Sequence, residues 1–266
     1  MPGRPRRTRE SRKLTIGEHL RELRRRAFIA ALAVLLGAVI GWFANDLVWA
    51  ELRRPIETVV SRYAQNATIN YSTIFGAFDL RVSVAVTLGI ILSSPVWLYQ
   101  LFAFLVPGLT PRERRYVIGF VGAAVPLFVV GGIAGWLVVP HIVELMLGFV
   151  PRESASFVEA REYLAFVLKL IVATGVAFVL PVLLVMLNFL GMLAGTTIVR
   201  SWRWAILGAT AFAAIATPAA DVMSMFLLAV PIVGLYFIAA AIAMIRDRRI
   251  RGALEASPSH AASIVG

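Results

Sequence analysis

Residues 82–111 read VSVAVTLGIILSSPVWLYQLFAFLVPGLTP, a run of thirty residues without a charged side chain. Further long uncharged runs are rich in Leu, Val, Ile, Ala and Phe, and they occupy residues 27–45, 116–143, 170–199, 204–220 and 222–245. A helix that crosses the hydrocarbon core of a bilayer needs ~20 mainly apolar residues, with ~17 as the lower limit. All six runs reach that limit, so they predict six transmembrane helices.

The composition of the whole chain points to the same class. Of its 266 residues, 59% are hydrophobic and 15% are charged, and the mean hydropathy is +0.82. Soluble domains are nearer ~45–50% apolar and ~25% charged, and disordered chains are less hydrophobic still. A transmembrane β-barrel needs ~10-residue segments of alternating polarity, and the six runs do not alternate. We therefore expect an all-α integral membrane protein.

The basic residues lie on one side of the expected topology. If six helices alternate in direction, that side holds 19 of the 26 basic residues and 6 of the 15 acidic ones, in segments 1–26, 107–115, 188–203 and 246–266. Its net charge is then +13, against −2 on the other side. The positive-inside rule predicts that both termini are cytoplasmic, and the Arg- and Ala-rich composition suggests a bacterial host. The formal charge of +11 is thus a topology signal that also favours anionic lipid, rather than a nucleic-acid footprint.

We expect one membrane domain over residues 15–246, between a flexible basic arm at 1–14 and a disordered cytoplasmic tail at 247–266. Its spans are predicted at about 27–45, 80–104, 114–139, 163–187, 201–216 and 222–245. The fifth is short, because residues 204–216 would extend only ~20 Å as a helix, against a ~30 Å hydrocarbon core. Either the bilayer thins there, or the helix extends through residues 201–203; both readings stay open.

Prolines and glycines in the apolar runs indicate how the spans pack. Prolines inside the runs can kink helices and produce a concave bundle, and they are Pro95, Pro126, Pro181 and Pro231. Glycines four residues apart allow close helix packing, and the pairs are Gly37/Gly41, Gly131/Gly135 and Gly191/Gly195.

The chain contains no sequence pattern of an enzyme. It lacks HExxH, P-loop and GxSxG motifs, and it has no Cys. The three histidines, His19, His141 and His260, are scattered. We therefore expect no catalytic residues, no cofactor and no metal, and any work that the protein does would draw its energy from elsewhere.

Two carboxylates on the basic side have both a structural and a functional reading. Glu22 precedes Arg26 by four residues, which favours an ion pair on one helix face. Glu113 follows Thr110 and Pro111, a pattern typical of a helix start. Alternatively, the two carboxylates form a cation site in which each accepts the fork of an arginine, a geometry that lysine cannot reproduce. The residues alone leave both readings open.

A series of motifs, taken in order, resembles the TatC family, the multi-spanning receptor subunit of the twin-arginine protein translocase. The likeness covers about residues 15–246. The motifs are HLRELR at 19–24, FDLR at 78–81, LSSPVWLYQ at 92–100, FAFLVPGL at 102–109, ERR at 113–115, YLAFV at 163–167 and TPAAD at 217–221.

The resemblance implies a receptor that binds the twin-arginine motif of folded precursor proteins at the cytoplasmic face. The family's two signal-binding glutamates match Glu22 and Glu113. Neighbouring motif positions of the same region match Arg24, Phe104 and Pro107, and important outer-loop positions match Pro55 and Asp221. The implied partners are the single-span proteins TatA and TatB, with further copies of this chain, and the implied energy source is the proton gradient.

The chain departs from the family pattern at positions that can contact partner helices. Many relatives carry Glu or Gln where this chain has Val179, and Gln where it has Met225, so a polar contact is missing at both. Lys169 lies within the predicted fourth span and either snorkels to the interface or replaces an intramembrane polar contact. The alternative function is a small-molecule secondary transporter that uses Lys169 and Asp221 as coupling groups.

Overall fold

The structure is a computed structural model that describes residues 16–63, 67–70, 74–105, 111–148, 156–217 and 222–255. The helices in these ranges are α1 Ile16–Phe43, α2 Asn45–Tyr63, α3 Gly76–Leu92, α4 Ser94–Leu105, α5 Pro111–Gly148, α6 Ala160–Phe189, α7 Gly195–Arg200, α8 Trp202–Ala216 and α9 Val222–Glu255. Two short parallel strands, β1 Ala67–Asn70 and β2 Ser156–Glu159, pair in register from Ala67 opposite Ser156. The predicted basic arm at 1–14 lies outside the described residues.

Within the described ranges, four helices are long and apolar enough to cross a membrane unbroken, and they lie in α1, α5, α6 and α9. The pair α3 and α4, which are bent by 60° against each other, is long and apolar enough for a fifth span when the two helices are counted together. The predicted fifth span, at 201–216, corresponds to α8, which has 15 residues and is shorter than a full span. Since α8 begins at Trp202, the proposed extension through residues 201–203 adds only two residues. At ~1.5 Å per residue α8 is ~22 Å long, shorter than the ~30 Å core.

The predicted second span, at 80–104, is broken at Ser93, where α3 ends and α4 begins, next to the Pro95 at which a kink was expected. Pro95 lies in the first turn of α4, a position where its missing N–H leaves no intrahelical bond unmade. The Ser93 carbonyl accepts from the N–H of Val96 at 2.9 Å and of Trp97 at 3.1 Å, so α4 starts afresh. Pro126, Pro181 and Pro231 lie inside helices, as expected.

The predicted outer segment before the second span contains structure that the hydropathy did not indicate. Helix α2 lies there, with Leu52 buried against α6. The hydroxyl of Tyr163 on α6 donates to the Leu52 carbonyl at 3.1 Å. The β1–β2 pair adds a small parallel sheet to the expected all-α fold.

Glycines allow the first two spans to pack closely, and they do the same for α5 and α6. A Cβ on Gly37 would lie 2.8 Å from the Gly89 carbonyl oxygen, so α1 and α3 meet backbone to backbone. A Cβ on Gly131 would lie 2.7 Å from the Thr174 carbonyl oxygen, which brings α5 equally close to α6. The expected close packing is confirmed at these positions. Gly191 instead serves a turn with φ of +74°.

The disordered tail expected from residue 247 is wrong as far as Glu255, because α9 continues to that residue. Hydrogen bonds from the ends of neighbouring helices account for the continuation. Asp247 accepts the Gly195 N–H at 2.6 Å and the Asn188 amide at 3.0 Å. Arg246 donates to the backbone carbonyls of Asn188 and Phe189, at the end of α6.

Candidate functional site: the groove between α1 and α4

A charged cluster joins α1 to α4 near the beginning of α1. The Arg26 guanidinium contacts Glu22 Oε1 with Nη2 at 2.7 Å and with Nε at 2.9 Å. A third nitrogen, Nη1, donates to Gln100 Oε1 on α4 at 3.3 Å. Both side chains of the ion pair are largely covered, with 24% of Glu22 and 21% of Arg26 exposed. The predicted i,i+4 pair is therefore confirmed, and it is also tied to the neighbouring span.

An apolar groove of about 330 Å³ lies beside this cluster. On the α1 side it is lined by Leu23, Arg26, Ala27 and Ala30, and on the α4 side by Trp97, Gln100, Leu101 and Phe104. The α1 residues recur at the i, i+3, i+4, i+7 spacing of a single helix face. The Glu22–Arg26 pair thus lies at the edge of a mainly apolar surface.

The aromatic ring of Phe104 connects this groove to the start of α1. It stacks on His19 with ring centroids 4.5 Å apart and an interplanar angle of 19°. Arg24, by contrast, is exposed on α1 and does not line the groove. Of the predicted site residues on these two helices, the structure therefore places Phe104 in the lining of the groove and Glu22 beside it, paired with the lining residue Arg26.

The remaining predicted signal-binding residues fall where the structure describes less. Glu113 is the third residue of α5, as the Pro111 start signal predicted, but its side chain lies outside the described part of the chain. Pro107 and the expected cap Thr110 also lie outside the described residues. The distance between the Glu22 and Glu113 carboxylates therefore stays a prediction.

Of the two predicted outer-loop positions, Pro55 lies in α2, although its side chain is not described, and Asp221 lies outside the described residues. Val179 is buried among side chains of α4, α5 and α6. Met225 is partly buried against the cluster that contains Leu228. Lys169 is exposed on α6 rather than directed into the bundle, as expected for a side chain that snorkels.

Sequence reasoning gave no role to two groove residues on α4, Gln100 and Trp97. Gln100 was visible as a lone amide in an apolar run, but its partner lies 74 positions away. The Trp97 indole N–H donates to the Ile90 carbonyl at 2.9 Å, across the break between α3 and α4, so it fixes one wall of the groove. Among the described residues, no three His, Cys, Asp or Glu side chains lie close enough together to hold a metal ion.

Comparison with known proteins gives the family. The family model described as Sec-independent protein translocase protein (TatC) matches residues 18–231. TatC of Xylanimonas cellulosilytica is 44% identical over 238 residues, which are 90% of this chain and 86% of the relative. TatC of Rothia mucilaginosa is 35% identical over 89% of this chain and 81% of its own length.

A solved structure supports the same assignment. The crystal structure of the twin arginine translocase receptor TatC in DDM aligns with a TM-score of 0.71 and 30% identity, over 85% of this chain and 99% of that one. A second crystal structure of the receptor aligns with a TM-score of 0.68 and 29% identity. The family model covers most of the chain, and both relatives match over more than four fifths of their length. The chain therefore belongs to the TatC family of Sec-independent protein translocase proteins.

Proposed function

We propose that this chain is the receptor subunit of a twin-arginine translocase, which binds the signal peptides of folded precursors with Glu22 and Glu113. In this proposal the chain crosses the bacterial plasma membrane six times, with both termini in the cytoplasm. It assembles with TatA, TatB and further copies of itself, and the proton gradient drives export. The short helix α8 crosses where the bilayer is thinned, a common response to a span shorter than the membrane.

The observation that carries the proposal is the position of the Glu22 carboxylate at the rim of an apolar groove. A twin-arginine signal peptide pairs a guanidinium motif with an apolar stretch, and the groove offers a partner for each. The two bonds from Arg26 both use Glu22 Oε1. The other oxygen, Oε2, is then the acceptor to which we assign the first contact of a ligand arginine, before that arginine displaces Arg26 from Oε1.

Gln100 gives Arg26 a second hydrogen-bond partner when an arginine of the ligand binds to Glu22. Its amide oxygen accepts from Arg26 Nη1, so Arg26 keeps a partner when Glu22 turns toward the ligand. A carboxylate and a guanidinium can form two parallel hydrogen bonds, whereas a lysine ammonium acts as a point charge. Specificity for arginine over lysine follows from this difference in geometry.

The test is photo-crosslinking from Leu101, which lines the groove and leaves Glu22 intact. A photoreactive residue at position 101 should crosslink to a precursor with an Arg-Arg motif, and the crosslink should fade with Lys-Lys. Glu22→Gln combined with Glu113→Gln should abolish the difference between the two precursors. Glu162→Gln is the matched control, since Glu162 is exposed near the start of α6, at the opposite end of the bundle.

An Arg-Arg crosslink that persists unchanged in the double variant would remove the two glutamates from the site. No crosslink from position 101 with any precursor would remove the groove, whatever the role of the glutamates. The transporter alternative needs Lys169 inside the bundle, and its exposed position gives that function no support.

A further inference from the structure

A second groove opens where α5 begins, α6 ends and α9 leaves the bundle. Its volume is about 600 Å³, and its lining includes Tyr116, Phe189, Ile242, Ile245, Arg246 and Arg249. It shares no lining residue with the groove between α1 and α4. The aromatic rings of Tyr116 and Phe189 lie 6.3 Å apart and form the wall opposite α9.

The lining residues of α9 change from apolar to basic along the helix. Ile242, Ile245, Arg246 and Arg249 follow the i, i+3, i+4, i+7 spacing, so they share one face. About 10 Å of helix separates Ile242 from Arg249. The apolar end lies within the apolar run that ends at Ile245, and the basic end lies beyond it.

The two arginines of this groove are not equivalent. Arg246 bonds the carbonyls at the end of α6, and its guanidinium lies 4.6 Å from the centre of the Phe189 ring. Arg249 is exposed, and within the described part of the chain it forms no ion pair. Arg249 is therefore the cation that can receive a ligand, whereas Arg246 builds the wall.

We propose that this groove binds an anionic phospholipid. The Arg249 guanidinium takes the phosphate, and the upper part of an acyl chain lies along Ile242, Ile245 and the Phe189 ring. The order of cation and apolar wall matches a phospholipid that stands in one leaflet, and basic pockets between spans suit anionic headgroups. A free phosphate would leave the apolar wall unused, and a choline headgroup would bring a second cation to the arginines.

The experiment is native mass spectrometry of the full chain in detergent, titrated with phosphatidylglycerol or phosphatidylcholine of the same acyl chains. We expect preferential retention of phosphatidylglycerol. Arg249→Gln should weaken the affinity for phosphatidylglycerol about fivefold, which is the factor expected when one basic residue near a membrane surface is lost. Arg248→Gln is the matched control, since Arg248 is an exposed neighbour that does not line the groove.

If Arg249→Gln and Arg248→Gln weaken the binding of phosphatidylglycerol equally, the effect is one of diffuse charge and the proposal is overturned. The proposal is also overturned if neither variant weakens binding. Glycerol 3-phosphate is the probe for a site that needs only phosphate. If it displaces the lipid at similar concentration, the apolar wall does not contribute and the proposal fails. Binding of a second chain in place of lipid, lost with Arg249→Gln, would also contradict it.

Discussion

The most direct test of the packing that supports the groove between α1 and α4 is Gly89→Ala on α3. A Cβ at this position would lie 2.6 Å from the carbonyl oxygen of Val34 and 2.7 Å from the backbone nitrogen of Ala38, both on α1. Neither atom belongs to a side chain, so neither can rotate away. The methyl group must therefore push the two helices apart.

The size of the effect follows from these distances. Ordinary contact of a Cβ begins at 3.4 Å, so the separation from the Val34 oxygen has to grow by about 0.8 Å. Only 11% of the α1 span is buried, and α1 therefore has little other contact to compensate. Overpacking of this kind costs ~1–3 kcal/mol, which for a domain of this size corresponds to a Tm lower by roughly 2–12 °C.

The assay is thermal unfolding of the purified chain in detergent, followed by circular dichroism. Gly234→Ala is the control, because a Cβ there meets nothing within 4 Å and α9 continues on both sides of it. Alanine has the higher helix propensity, so the control should be unchanged or more stable. A Tm of Gly89→Ala equal to that of Gly234→Ala would refute the backbone-to-backbone packing of α1 on α3.

Three further outcomes follow from contacts of single side chains. Asp247→Asn removes a charged acceptor of the Gly195 N–H, and it should cost ~1–3 kcal/mol, measured as a lower Tm. Tyr163→Phe removes the hydroxyl that bonds the Leu52 carbonyl; it should cost ~0.5–1.5 kcal/mol and speed hydrogen exchange of the α2 amides relative to those of α9. Lys169→Met places an apolar side chain on an exposed face of α6, so export of a twin-arginine precursor into membrane vesicles should be unchanged; loss of export would indicate a buried or coupled lysine.

Hydropathy predicted the long spans well and the breaks between them poorly. The length of an uncharged run reports how much chain a bilayer can cover, and α5 and α9 contain their runs at 116–143 and 222–245, whereas α6 begins and ends ten residues before the run at 170–199 does. The hydropathy of the run at 82–111 gave no indication of the 60° bend at Ser93, because the run contains no charged residue near the bend. Pro95 indicated a disturbance, but the angle depends on packing such as the Trp97 bond to Ile90, which sequence periodicity does not encode.

Structure outside the predicted spans was harder to predict for a related reason. The strands β1 and β2 have four residues each, and they pair across nearly ninety positions of sequence. Neither strand is long enough to show alternation. Charged residues interrupt the apolar residues of helix α2, and the burial of Leu52 depends on its contacts with Tyr163 and the surrounding cluster. Such elements are stabilised by contacts that form only when the spans pack together, so local sequence patterns do not predict them.

The candidate site could likewise be predicted from the sequence only in part. The Glu22–Arg26 pair follows from helical spacing alone, and Phe104 came from the family motif rather than from physical reasoning. The contact of Arg26 with Gln100 depends on how α1 crosses α4, and the sequence contains no periodic signal for it. A single amide in an apolar run was the available clue.

The internal partner of Glu22 bears on how a receptor with this site would obtain its affinity. A carboxylate that is three quarters covered needs a cation nearby, because an unpaired buried charge is costly. Arg26 meets this need before any ligand arrives. An incoming arginine therefore exchanges one guanidinium for another, so the change in electrostatic free energy is small. In the proposed topology the cytoplasmic face around this site has a net charge of +13, which would repel a basic ligand as well. Affinity must then come mainly from burial of the signal's apolar stretch along Leu23, Trp97 and Phe104, while the glutamates select which peptides are held.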